Sequence, residues 1–183
     1  RTRLGCRILA YFESEEFQTI LNRYEESVES GHPTYIDADD LADIADYYQY
    51  NGFTDKAGEA INLALEYNPE AVGPLLYKAR EAIMANDFQT AEDYANRIEA
   101  VDGMEALFLR GEMMVCQGKA EEADAYFIEK MKDIMKDELM DYVYDVANIF
   151  SDYDLHDKAF EWIARSQGLA DRKSGSAGMP RPI

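Results

Sequence analysis

Cysteine, histidine and basic residues are scarce in this 183-residue chain, and each shortage removes a class of chemistry. Two cysteines, Cys6 and Cys116, supply neither a disulfide framework nor a spaced thiolate metal site, and they fit a reducing compartment. The two histidines, His32 and His156, both fall in expected turns, where solvation rather than general acid–base work is the ordinary role. Also missing are His-Glu-x-x-His, a phosphate-cradling glycine loop and a Gly-x-Ser-x-Gly elbow, so neither catalysis nor a cofactor is expected. Eighteen basic residues against 37 acidic ones give a net charge of −19, which repels phosphate backbones and anionic lipid. A partner is therefore expected to be neutral or basic protein, not nucleic acid or membrane. No apolar run approaches the roughly 18 residues of a membrane span, and the default compartment is cytoplasmic, a removed N-terminal signal being the alternative.

What is present suffices for a fold: 47% of the residues are hydrophobic and 30% charged, the balance of a globular domain or an array of stacked units. Arg1, Arg3 and Arg7 at one end, and Arg172, Lys173 and Arg181 at the other, stand in segments nearly free of acid. The ends are accordingly expected to be processed or truncated.

An internal repeat organises the rest. Small residues recur at Ala45, Ala79, Gly111 and Ala147, and again 12 positions later at Ala57, Ala91, Ala123 and Ala159. Successive copies lie 34, 32 and 36 residues apart. Leu41, Leu75, Leu107 and Val143 precede the first series by one helical turn, and Ile61, Ala95, Phe127 and Ile163 follow the second by one turn. Gly52, Asn86, Gly118 and Asp154 stand between, residues suited to tight turns. Each copy reads as helix, turn, helix, the small residues letting two rods approach closely.

In spacing and residue order the chain resembles the tetratricopeptide repeat (TPR) family. Leu41, Ile44, Ala45, Tyr48, Gly52, Ala57, Ile61, Ala64 and Pro69 carry the likeness in the first copy. Leu75, Ala79, Phe88, Ala91 and Ala95 carry it in the second; Leu107, Gly111, Met114, Gly118, Ala123 and Phe127 in the third; Val143, Ala147, Phe150, Ala159 and Ile163 in the fourth. Trp162 lies outside the family's aromatic column, and the style of the copies resembles bacterial TPR proteins. The resemblance implies an all-α fold, a right-handed superhelical solenoid, with about four repeats over residues 38–170. Residues 14–32 read as an amphipathic helix, capped by Ser14, that would be the second half of a worn repeat. Residues 1–13 are an atypical basic start, and 171–183, rich in Gly, Ser and Pro, read as a disordered tail.

The acidic groups Asp37, Asp39, Asp40 and Asp152, Asp154, Asp157 lack calcium-loop spacing and sit at expected helix starts or turns, where carboxylates cap. Tyr48 falls in the aromatic core column, whereas Tyr50 points elsewhere on its helix.

Function, on this resemblance, is non-catalytic recognition by an adaptor or scaffold whose inner wall is formed by the first helix of each pair. Carried over by alignment, that wall contains Asp39, Ala42, Asp46 and Tyr50, then Leu76, Arg80, Ile83 and Met84. Glu105, Phe108, Glu112 and Cys116 follow, then Asp141, Tyr144, Asn148 and Asp152. Asp46, Arg80, Glu112 and Asn148 do not make the Lys and Asn clamp with which some TPR domains hold a terminal carboxylate. An apolar strip of Leu76, Ile83, Met84, Phe108 and Tyr144 among carboxylates instead suits a peptide or helix with apolar anchors and basic flanks. The alternatives are a structural spacer or capping portion of a longer array, self-associating through Trp162 and a last helix from Asp157 to Gly168, or a regulatory module mimicking nucleic acid by its acidity.

Overall fold

The computed structural model describes residues 6–175. Among them are ten α-helices that pair consecutively: α1 (Cys6–Phe12) with α2 (Glu15–Ser30), α3 (Ala38–Tyr50) with α4 (Thr54–Tyr67), α5 (Val72–Met84) with α6 (Phe88–Glu99), α7 (Gly103–Cys116) with α8 (Ala120–Met131), and α9 (Leu139–Asp152) with α10 (His156–Gly175). The chain divides into two compact units, the division falling inside α7 between Arg110 and Gly111. No helix of the described residues is long and apolar enough to cross a membrane.

The four expected turns share one geometry. Gly52, Asn86, Gly118 and Asp154 all have positive φ, from 58° to 81°. The residue after each donates its backbone N–H to the carbonyl five positions back: Phe53 to Tyr48, Asp87 to Ala82, Lys119 to Met114 and Leu155 to Phe150, at 2.8–2.9 Å. The positive-φ residues themselves donate to the carbonyl three back, which completes a Schellman end to the first helix. That same following residue then opens the second helix, its carbonyl accepting from Ala57, Ala91, Ala123 and Ala159 respectively. The second small series thus sits at one fixed depth in every second helix.

Burial explains why those columns are small. Ala45, Ala79, Ala57, Ala91 and Ala123 are fully buried, and Ala147 and Ala159 nearly so. Gly111 is buried as well, and a Cβ built on it would overlap Cζ at the tip of the Phe127 ring and lie 2.7 Å from Cε2. Large residues fill the space around these contacts. Leu41, Ile44, Ile61 and Leu75 are fully buried in the first unit, and Phe127, Val143, Phe150 and Trp162 in the second.

Polar ties link successive hairpins within each unit. Asp39 of α3 accepts from the backbone N–H of Gly73 at 2.8 Å, capping α5, whose own N-cap Ala71 offers no side-chain acceptor. Arg97 donates to Glu70 and to the Pro69 carbonyl, both at 2.8 Å, and Arg110 donates to Glu92 and Glu99 at 3.0 Å. In the second unit Lys158 donates to Glu121 at 2.8 Å, and the Trp162 indole N–H donates to Asp124 at 2.8 Å.

Several expectations shift. Trp162 is fully buried, so it offers no surface for self-association. Its ring stands edge-on to Phe127 and Tyr142, with Arg165 stacked 4.9 Å from its centroid. The last helix runs from His156 to Gly175, longer than the segment from Asp157 to Gly168, and so enters the span read as tail; residues 176–183 lie outside the described residues. At the other end, the span read as an atypical start contains α1, while residues 1–5 lie outside the described residues. Ser14 caps α2 as the sequence implies, accepting from the Phe17 N–H at 3.2 Å.

Candidate functional site

The first helices α3 and α5 lie side by side in the first unit and carry half of the expected inner-face residues. Asp39 is engaged in capping α5, and Ala42 is buried. Asp46 is half-buried: burial pushes its carboxyl up from the ordinary carboxylate range, and the charge of Arg80 on α5 pulls it partly back. These two groups of the expected wall are therefore brought together. One turn away, Tyr77 donates from its hydroxyl to Gln49 at 3.3 Å, a contact between the two helices that the sequence reading did not single out.

Tyr50 and Met84 stand at equivalent positions, on the last turns of α3 and α5, and are 51% and 64% exposed. Leu76 is half-buried. Ile83 and Phe108 differ from the expectation: both are core residues, so the apolar strip is interrupted and the anchoring surface reduces to its exposed members. Their place on an amphipathic helix was legible; which edge of the apolar arc faces the neighbouring helix was not, because that depends on how the helices are rotated.

Asp43, which the sequence reading passed over, is the most perturbed carboxyl of this face. It is pushed up to about 6, first by burial, then by the charges of Asp46 and Asp40, with hydrogen bonding from Tyr11 opposing the rise. The Tyr11 hydroxyl is itself pushed up to about 12, by burial and then by Asp43. Beside it Phe12 packs edge-on to Tyr47 at 5.5 Å between ring centroids and lies 6.5 Å from Tyr50. Helix α1 thus places aromatic and phenolic groups against the acidic side of α3.

A pH dependence follows from Asp43. Between about pH 4 and 6 the folded chain holds a proton there that the unfolded chain releases. This carboxyl therefore favours folding at the acid end, and its contribution is lost as the pH rises through 6. Asp43→Asn is expected to stabilise the protein at pH 7 by on the order of 1 kcal/mol, allowing for the partial exposure of the group. The advantage should shrink toward zero at pH 4, as read from denaturant midpoints at the two values.

In the second unit Glu112 is buried, and its carboxylate accepts from the Tyr153 hydroxyl at 3.2 Å. Like Ile83 and Phe108, it does not present the surface the sequence suggested. Cys116 is half-buried, its thiol pushed up by burial and by the Glu112 charge, which disfavours the reactive thiolate. Tyr144 is 43% exposed on α9, with Asp141 and Asn148 exposed on the same helix and Asp152 half-buried near its end. His32 and His156 are both exposed. Among the described residues, no cluster of His, Cys, Asp and Glu has the arrangement of a metal site.

No protein-family model matches the chain, and no curated protein matches it. Solved structures do resemble it over most of its length at low identity. MamA AMB-1 is 15% identical, with a TM-score of 0.47, covering 96% of this chain and 98% of its own. MamA MSR-1 is 14% identical, with a TM-score of 0.45, covering 91% and 98%. BtubC (BKLC) from P. vanneervenii is 17% identical, with a TM-score of 0.48, covering 92% and 78%. Among the described residues the chain is an all-helical array of consecutive hairpins, and it has structural matches to MamA and BtubC, both TPR proteins.

Proposed function

We propose that this protein is a non-catalytic interaction module that holds a peptide or helix of a partner protein against the α3–α5 face. The observation that carries this reading is the pairing of Tyr50 and Met84, exposed at matched positions, beside the half-buried carboxylates Asp43 and Asp46. Exposed aromatic and thioether groups beside partly desolvated charge are the elements from which binding anchors are made. The partner that complements them has apolar side chains spaced to meet Tyr50 and Met84 and basic residues on the flanks. Tyr144 and Asn148 on α9 offer a further exposed polar and aromatic surface in the second unit.

The test is an array of helical and extended peptides of matched apolar content, carrying either basic or acidic flanks. Basic-flanked peptides should bind more tightly, with an advantage that shrinks between 0.05 and about 0.5 M salt as the charges are screened. The double substitution Tyr50→Ala and Met84→Ala should weaken binding by about tenfold or more while leaving the far-ultraviolet dichroism unchanged. Equal binding of both peptide classes, or binding untouched by the double substitution, would refute the reading.

A further inference from the structure

The hairpin α9–α10 presents a face that the corresponding hairpins bury. Ile163 is 38% exposed, whereas Ile61, Ala95 and Phe127, its counterparts in the earlier copies, are fully buried. Ser151 is exposed where Ile83 and Val115 are buried, and Tyr144 is exposed where Ala42 and Phe108 are buried. A shallow cleft runs between the two helices, lined by Ala147, Asn148, Ser151, His156, Ala159, Phe160 and Ile163. None of the seven is Asp, Glu, Lys or Arg, in a protein of net charge −19, and the one titratable group, His156, sits at the rim 3.8 Å from the Asp154 carboxylate.

Phe160 at the cleft is 70% exposed. Its counterparts in the two preceding copies are Glu92 and Asp124, and each of those takes a donor from a following helix. Arg110 reaches Glu92 at 3.0 Å, and Trp162 reaches Asp124 at 2.8 Å. At Phe160 the carboxylate that receives such a donor is replaced by an apolar knob. What covers this face must therefore bring apolar side chains rather than the Arg that answers Glu92.

We infer that the α9–α10 face is a two-fold contact with a second copy of this chain, α10 of each protomer lying antiparallel in the cleft of the other. The face carries both the knob, Phe160, and a hole floored by Ala147 and Ala159, and knob and hole on one surface are what a two-fold, self-complementary contact requires. Charge points the same way. Two copies of net charge −19 approach most readily where each lacks acidic side chains, and Phe160, Ile163 and Gln167, at helical spacing along α10, form a stripe without charged side chains. This inference rests on the register of the hairpins and is independent of the α3–α5 reading.

The experiment is sedimentation equilibrium of the full chain over about 5 to 500 µM at ~0.15 M salt, where a contact of roughly one helix pair on each side should give dissociation in the micromolar range. A monomer–dimer equilibrium is expected. Phe160→Glu should weaken it by about tenfold or more without altering helix content or the melting temperature of the dilute, monomeric chain, since Phe160 is exposed. Ser151→Arg, which fills the cleft from α9, should do the same. A chain that stays monomeric throughout, assembles beyond the dimer, or dimerises equally well in both variants overturns the inference.

Discussion

Replacing Gly111 with alanine is expected to destabilise the protein by about 2 kcal/mol, although the same change in an ordinary helix interior would stabilise it by roughly 0.5 to 1 kcal/mol. The reversal comes from Phe127. The new methyl group would overlap the tip of its ring, which is hemmed in on other sides. It is fully buried, edge-on to Phe150 at 6.0 Å and to Trp162 at 6.3 Å, while the Phe127 carbonyl is fixed by the Tyr142 hydroxyl at 2.8 Å. Relief requires α7 and α8 to separate or the aromatic cluster to repack. A double-mutant cycle reads this directly. Phe127→Leu alone should cost stability, but Gly111→Ala should cost far less in that background than in the parent, since the overlapping ring is gone. A Gly111→Ala variant at least as stable as the parent in urea would show that the helices have room to spare.

How much of this was legible in the sequence depends on how local each feature is. The turns were legible because a Schellman end needs one residue at positive φ, and Gly52, Asn86, Gly118 and Asp154 advertise that conformation by type. The two small columns were legible because they recur at a fixed separation. Ser14 and Asp37 were legible as caps because capping acts within three residues. Residues whose role is set by another hairpin were not legible. Asp39 looked like a wall residue and instead caps α5 from 34 positions away. Ile83, Phe108 and Glu112 lie on helix faces whose pattern suits an inner wall, and only the rotation of their helices decides that they turn inward. Trp162 lay outside the aromatic column, yet it fills the core of its unit because Asp124 satisfies its indole N–H. Asp43 escaped notice because one aspartate among several on α3 has no sequence signature; its surroundings come from Tyr11 on a helix that the residue pattern did not reveal.

The close packing of the hairpins depends most on the small columns, and leucine at two of them tests it most directly. Ala79 of α5 and Ala91 of α6 are fully buried, one in each series, and neither has room for three further carbon atoms. Each substitution should cost about 1 to 3 kcal/mol, which for a chain of this size lowers the melting temperature by roughly 2 to 4 °C per kcal/mol. Ala125→Leu on the exposed side of α8 supplies the control for changed helix propensity and hydrophobicity. The decisive measurement is the thermal unfolding of these three variants beside the parent. Clear destabilisation at Ala79 and Ala91 with none at Ala125 is the expected result; melting at the parent's temperature in all three would contradict the close packing of the hairpins.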